Sequence, residues 1–146
     1  MKTLIEPGKR VDELAHAVIG AAIEAHRHLG PGFREGIYEE ALCIELAERQ
    51  VPFEWQKEIS VLYKGRPIGK QRIDLMVGEV LIVELKAIEA LAEIHKAQLI
   101  SYLKATCLSL GLLINFNVSI LKNGIQRVVY TSNNDSAAWR SLRLGG

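Results

Sequence analysis

Apolar residues at Val11, Leu14, Val18, Ala22, Ala25 and Leu29 recur about once per 3.6-residue turn and predict a helix over residues 11–29. Gly30-Pro31-Gly32 breaks it. A second helix is expected over residues 35–50, with Tyr38, Leu42, Leu46 and Arg49 on one stripe and Glu39, Glu40, Glu45 and Glu48 mostly on others, and Pro52 stops it. The period then shortens to two. Residues 53–63 and 67–77 read as strands around Lys64-Gly65-Arg66, and residues 81–87 as a short apolar strand after Gly78-Glu79.

Helical spacing returns over residues 90–105, and residues 108–116 are nearly all apolar, as in a strand covered on both faces. A strand, helix, strand succession implies parallel pairing through a crossover. Asn123-Gly124, between Val118-Ser119-Ile120-Leu121 and residues 125–130, signals a hairpin and puts the last strand antiparallel at one edge. The predicted class is α/β (α+β), order α-α-β-β-β-α-β-β, with helices flanking a central mixed sheet of about five strands. Residues 1–130 form one domain, and residues 131–146, with a lone Trp139 among Ser, Asn and Gly, are expected to be loosely held or docked through the indole.

At 146 residues, 49% apolar and 24% charged, the chain has the composition of a single water-soluble globular domain. A net charge of +1 excludes a global basic field, so any nucleic-acid contact must be local. Cys43 and Cys107 cannot make a disulfide framework or a four-thiolate site, and both are expected as buried thiols in a reducing cytoplasm. The first ten residues lack the apolar core of a signal peptide, and no apolar run approaches a membrane span. A cytoplasmic protein without a membrane partner is expected.

Chemistry concentrates in Arg72-Ile73-Asp74-Leu75-Met76-Val77 and Leu81-Ile82-Val83-Glu84-Leu85-Lys86, where three charges interrupt apolar strands. Glu84 and Lys86, two apart, share a strand face. Asp74 joins them only in one register: a two-residue loop sets it against Val83, and a three-residue loop or bulge sets it against Glu84. The second is expected, because an isolated buried carboxylate costs on the order of several kcal/mol. Two facing carboxylates need a cation, either Lys86 or a divalent ion such as Mg²⁺, and the latter suits phosphodiester cleavage. A structural ion-pair network would explain the same three charges. Glu35 starts the second helix on its inward face, where it could equally be a capping carboxylate. Gln98 and Tyr102 are four apart on the last helix and share a face with Ile94. His26 and His28 lie on different helix faces and cannot chelate one ion together; His16 and His95 read as surface or packing residues, with His95 near the Gln98 face.

Gly32-x-x-Glu35-x-x-Tyr38, Asp74, Val83-Glu84-Leu85-Lys86, Gln98-Leu99-x-x-Tyr102-Leu103 and Leu112-Leu113-Ile114-Asn115-Phe116 together resemble the GxxExxY proteins of the PD-(D/E)XK nuclease superfamily. The likeness runs over residues 18–129. It implies a restriction-endonuclease-like core and a site in which Asp74 and Glu84 bind Mg²⁺ or Mn²⁺, Lys86 is the catalytic lysine, Glu35 is the acid from the preceding helix and a third metal ligand, and Gln98 and Tyr102 are accessory. The superfamily's proline is absent, since Ile73 precedes Asp74. The carboxylates and the lysine carry the chemistry, so that departure leaves the reading intact. No substrate follows from the likeness.

A nuclease must also hold a polyanion. Lys57, Lys64, Arg66, Lys70, Arg72 and Lys96, with Lys104, could contact phosphates, although charged hairpin ends are usually just solvated. The expectation is a metal-dependent nuclease acting on DNA ahead of RNA. Its alternative is a non-catalytic nuclease-fold module that binds a partner or nucleic acid in a DNA-processing complex, which the near-zero charge favours. A purely structural oligomer leaves the converging acids unexplained. A symmetric homodimer through the edge strand at residues 125–130 has general support only.

Overall fold

A computed structural model describes residues 8–131. Two helices, α1 (Lys9–Leu29) and α2 (Glu35–Glu48), pack together over one face of a sheet. The inward stripe of α1 is small, with Ala15, Val18, Ala21, Ala22 and Ala25 all buried, which lets α2 approach closely. α1 ends at Gly30, whose φ of 70° lets its N–H reach His26 O at 2.7 Å. α2 stops before the expected boundary at residue 50, because Gln50 turns left-handed (φ 59°). Arg49 is consequently exposed and paired with Glu45 at 3.4 Å, instead of extending the buried stripe.

The sheet runs β1 (Phe53–Tyr63), β2 (Arg66–Val77), β3 (Leu81–Lys86), β4 (Leu110–Asn115) and β5 (Ile125–Val129) in that spatial order. All neighbours are antiparallel except β3 and β4, which the crossover helix α3 (Glu93–Thr106) joins in parallel as expected. α1 and α2 cover Val83, Leu85, Leu112 and Ile114, while α3 covers Ile82, Leu113 and Val128 on the opposite face. β4 is therefore buried along its whole length. Its one glycine, Gly111, sits where a Cβ would come within 2.8 Å of Leu99 on α3. On β5, Arg127 reaches Asp12 of α1 at 2.7 Å, and a charge on an edge strand discourages pairing between copies.

Three local expectations are corrected. Asn123-Gly124 is not a hairpin turn: β5 pairs directly with β4, and Val118-Ser119-Ile120-Leu121 forms no strand but leads into a single 3-10 turn (Leu121–Gly124). Gly124 is required for close approach, since a Cβ there would strike Asn115 O. Cys107 is exposed, because it ends α3 in a left-handed conformation (φ 59°), whereas Cys43 is buried. α3 begins three residues later than expected, since Asn115 holds the preceding loop: its Oδ1 accepts the Ile88 N–H at 3.1 Å and its Nδ2 donates to Ile88 O at 2.9 Å. The Trp139 docking expectation lies outside the described residues. No helix among them is long and apolar enough to cross a membrane.

Asn115 is buried and satisfies both backbone groups of Ile88. Asn115→Ala is therefore expected to destabilise the fold by about 1–3 kcal/mol in urea denaturation, without changing the denaturant slope.

Candidate active site

The turn between β2 and β3 is Gly78-Glu79-Val80, with Val77 paired to Leu81, Met76 to Ile82 and Leu75 to Val83. This three-residue connection is the register that brings Asp74 opposite Glu84, as expected. The regular ladder ends there. Instead of a backbone pair, the Asp74 N–H donates to Glu84 Oε2 at 3.0 Å, and the Leu85 N–H donates to Asp74 Oδ2 at 2.8 Å. Each carboxylate stands in for a carbonyl of the neighbouring strand, so the strands stay linked while they part. Glu84 is 7% exposed, and Asp74 and Lys86 are half-buried. Lys86 shares the Glu84 face of β3. It closes no direct ion pair among the described residues, yet its charge opposes proton uptake by Asp74, Glu84 and Glu35.

α2 reaches this fork through a clamp at its start. Gly32 has φ 112°, a value few side chains tolerate, and the buried Tyr38 closes the loop. The Tyr38 hydroxyl donates to Gly30 O at 2.6 Å and accepts the Phe33 N–H at 3.1 Å, while its ring stacks on Phe116 at 4.6 Å. The Gly-x-x-Glu-x-x-Tyr spacing is thus a mechanical device that fixes the first turn of α2, and with it Glu35. Glu35 is half-buried, within range of the charges of Asp74 and Lys86.

A further acid enters that the stripe pattern assigns to the outside. Glu39 is only 7% exposed, and its Oε2 accepts Gln56 Nε2 at 2.7 Å. Gln56 lies between the pairs Trp55↔Leu75 and Lys57↔Ile73, opposite Asp74, and adopts φ 58°. Glu39 borders Asp74 across this irregularity. The signal is present in the sequence: Glu35, Tyr38 and Glu39 stand at i, i+3 and i+4, on one side of a helix.

Four acids here, Glu35, Glu39, Asp74 and Glu84, are raised above their ordinary values, in each case chiefly by burial. Burial, then the Asp74 charge, pushes Glu84 up to about 8 and Glu39 up to about 7. Asp74 is raised by burial, against the Leu85 N–H and the Lys86 charge, which favour its anion. Glu35 is raised by burial and by Asp74. From α3, Tyr102 is buried beside the fork, and its hydroxyl is raised by burial and by the charges of Glu84 and Asp74. Gln98, one turn earlier, is exposed, as is Ile94, and Gln98 makes no hydrogen bond to these carboxylates among the described residues.

The basic residues singled out in the sequence make no ion pair with these acids among the described residues. Lys57 pairs with Glu54 at 3.2 Å and Lys70 with Glu58 at 3.8 Å, while Lys64, Arg66, Lys70, Arg72 and Lys96 are all exposed. The histidines serve structure or surface: His26 Nε2 lies 2.8 Å from Val118 O, His95 Nδ1 accepts the Ala92 N–H at the start of α3, and His16 and His28 are exposed.

A family model for the PD-(D/E)XK nuclease superfamily matches residues 12–128, from α1 through β5. The chain belongs to that superfamily. It matches no curated protein and no solved structure. PD-(D/E)XK nucleases generally use divalent metals, and the residues at the fork fit one. Asp74 and Glu84 offer hard oxygen donors, each with one oxygen bonded to a backbone N–H and the other without such a bond, and Mg²⁺ needs only one or two carboxylates beside water. Glu35 does not extend them to a closed ligand set: among the described residues no three acid, histidine or cysteine side chains converge on one point.

A carboxyl raised on folding stabilises the folded chain fully below its ordinary value and loses that contribution as pH rises through the folded value. For Glu84 that window runs from 4.5 to about 8. Without divalent ions, the melting temperature is expected to fall as pH rises across this window. Glu84→Gln, which keeps an acceptor for the Asp74 N–H but carries no charge, should flatten the profile and melt a few degrees higher than wild type near the upper end. Thermal unfolding across the window checks both.

Proposed function

We propose that this chain is a metal-dependent nuclease that hydrolyses phosphodiester bonds of DNA, ahead of RNA, with Mg²⁺ or Mn²⁺ held by Asp74 and Glu84. The observation that supports the reading is the pair of half-buried Asp74 and buried Glu84 facing each other at the sheet fork, with Lys86 on the same face, in a PD-(D/E)XK superfamily member. A divalent ion bound there supplies positive charge for the scissile phosphate and makes a water acidic enough to attack. Lys86 Nζ, engaged in no direct ion pair among the described residues, is placed to hold that water or the phosphate oxygen on which charge develops. Glu39, whose carboxyl sits near neutrality and is held by Gln56, is suited to take the water's proton on a carboxylate oxygen. Glu35 is the outer acid on the α2 side, and Tyr102 offers a protonated hydroxyl from α3. Gln98, four residues before Tyr102 on α3 and exposed, is the accessory residue of this reading. The Gly32, Glu35 and Tyr38 spacing supports assignment to the GxxExxY branch of that superfamily.

One observation favours a second reading, the non-catalytic module: no third ligand joins Asp74 and Glu84 among the described residues. Calorimetric titration with Mn²⁺, run beside cleavage of labelled single- and double-stranded DNA, separates the two. The nuclease reading expects wild type to bind and cut, Glu84→Ala to lose both, and Lys86→Ala to bind the ion but cut at least about a hundredfold more slowly. Wild-type binding with no cleavage of either DNA selects the module.

A further inference from the structure

We infer that the projecting end of the β1–β2 hairpin is an arm that enters a groove of duplex DNA, an inference that rests on the reading of the fork as a phosphodiester-cleaving site. Shape is the first ground. β1 and β2 run for 11 and 12 residues, but β3 pairs with β2 only at Leu75, Met76 and Val77. Beyond the fork the hairpin continues as a two-stranded ribbon without a third strand, and every residue in 62–72 is exposed. Such a ribbon is marginal alone in water, whereas the major groove, roughly 12 Å wide, admits one. Lys64 (φ 51°) and Gly65 (φ 80°) close it in a tight turn with both central residues left-handed, which fixes the tip.

Charge identifies the occupant. Residues 60–72 contain Lys64, Arg66, Lys70 and Arg72 and no acid, in a chain whose net charge is +1, so the balance of the chain is acidic. Among the described residues only Lys70 of these four has an ion pair, at 3.8 Å, and Lys64 leans over the Tyr63 ring at 5.5 Å. A concentrated, largely uncompensated positive end on a near-neutral protein complements a polyanion. Leu62, Tyr63 and Ile68 are 59%, 60% and 64% exposed at the same end, an apolar component that matches base and sugar edges in a groove better than phosphate alone.

Placement links the arm to the site. Ile59 and Ile73 bury against α3, so Lys70 and Arg72, at alternate positions of β2, turn to the other face of the ribbon. Arg72 is two residues, about 7 Å along the strand, from Asp74. The basic end of the ribbon therefore adjoins the fork along β2.

Fluorescence anisotropy of a labelled duplex of about 20 base pairs and of its single strand, over a range of salt concentrations, tests this. Asp74→Asn as the common background keeps the DNA intact. In that background Lys64→Ala/Arg66→Ala is expected to weaken duplex binding about tenfold or more and to lower the slope of log K against log salt by about 0.9 per side chain removed, with the melting temperature unchanged. Unchanged affinity and slope overturn the arm, as does a single strand that binds as tightly as the duplex. The two readings fail separately. A duplex bound through Lys64 and Arg66 but never cut by wild type with Mn²⁺ removes the nuclease and leaves the arm; a duplex cut by wild type but bound equally well by the variant removes the arm and leaves the nuclease.

Discussion

Where β2 and β3 stop pairing, two carboxylates take over the work of backbone carbonyls. The Asp74 and Glu84 oxygens accept N–H groups across the gap, and ionised acceptors make the stronger bonds. Burial pulls the other way, raising both acids above their ordinary values. A proton relieves the repulsion and weakens the crossed bonds, whereas a cation relieves the repulsion and keeps them. The cohesion of the sheet at this point and the affinity of the site for positive charge are two expressions of one local conflict. Lys86 eases the conflict from a distance without ending it, since it closes no ion pair there among the described residues.

The rest of the molecule holds this conflict in place from three directions. From α2, the Tyr38 hydroxyl ties down the loop before Glu35, and its ring stacks on Phe116 at the end of β4. From β1, Gln56 leaves the regular strand conformation and meets Glu39, which borders Asp74. From the far end of β3, Asn115 fastens the chain just after Lys86 through both backbone groups of Ile88. None of these residues need touch a substrate. They remove the freedom by which four acids could drift apart, which is how supporting side chains hold a reactive cluster to its geometry.

Much of this was legible because alternation and helical spacing are strong wherever one face is buried. The order of elements and the parallel β3–β4 pair follow from that patterning, and the facing of Asp74 and Glu84 from the cost of burying either acid alone. Glu39 was not, since α2 meets neighbours on two sides: the stripe of Tyr38, Leu42 and Leu46 faces the core, and the next side faces the sheet fork. An acid on that second side looks solvated until the position of Gln56 is known. Asn123-Gly124 misleads for a related reason, because glycine serves tight turns and close approach alike, and only the neighbouring Asn115 carbonyl distinguishes them. Cys107 shows the limit of composition: thiols are commonly buried, but here one terminates a helix at the surface.

The three-residue turn Gly78-Glu79-Val80 sets a register as well as a length. Asp74 and Glu84 meet because Val77 pairs with Leu81, three residues from each acid; a slip of that pairing by one residue would send one acid through to the far side of the sheet, with every apolar residue still apolar. The acidic cluster is therefore encoded in counting as much as in chemistry. A descendant in which a residue gained or lost here slipped that pairing by one would retain all its acids and its lysine, and would look intact to any comparison that scores residues one at a time, yet it would no longer have a place where they come together.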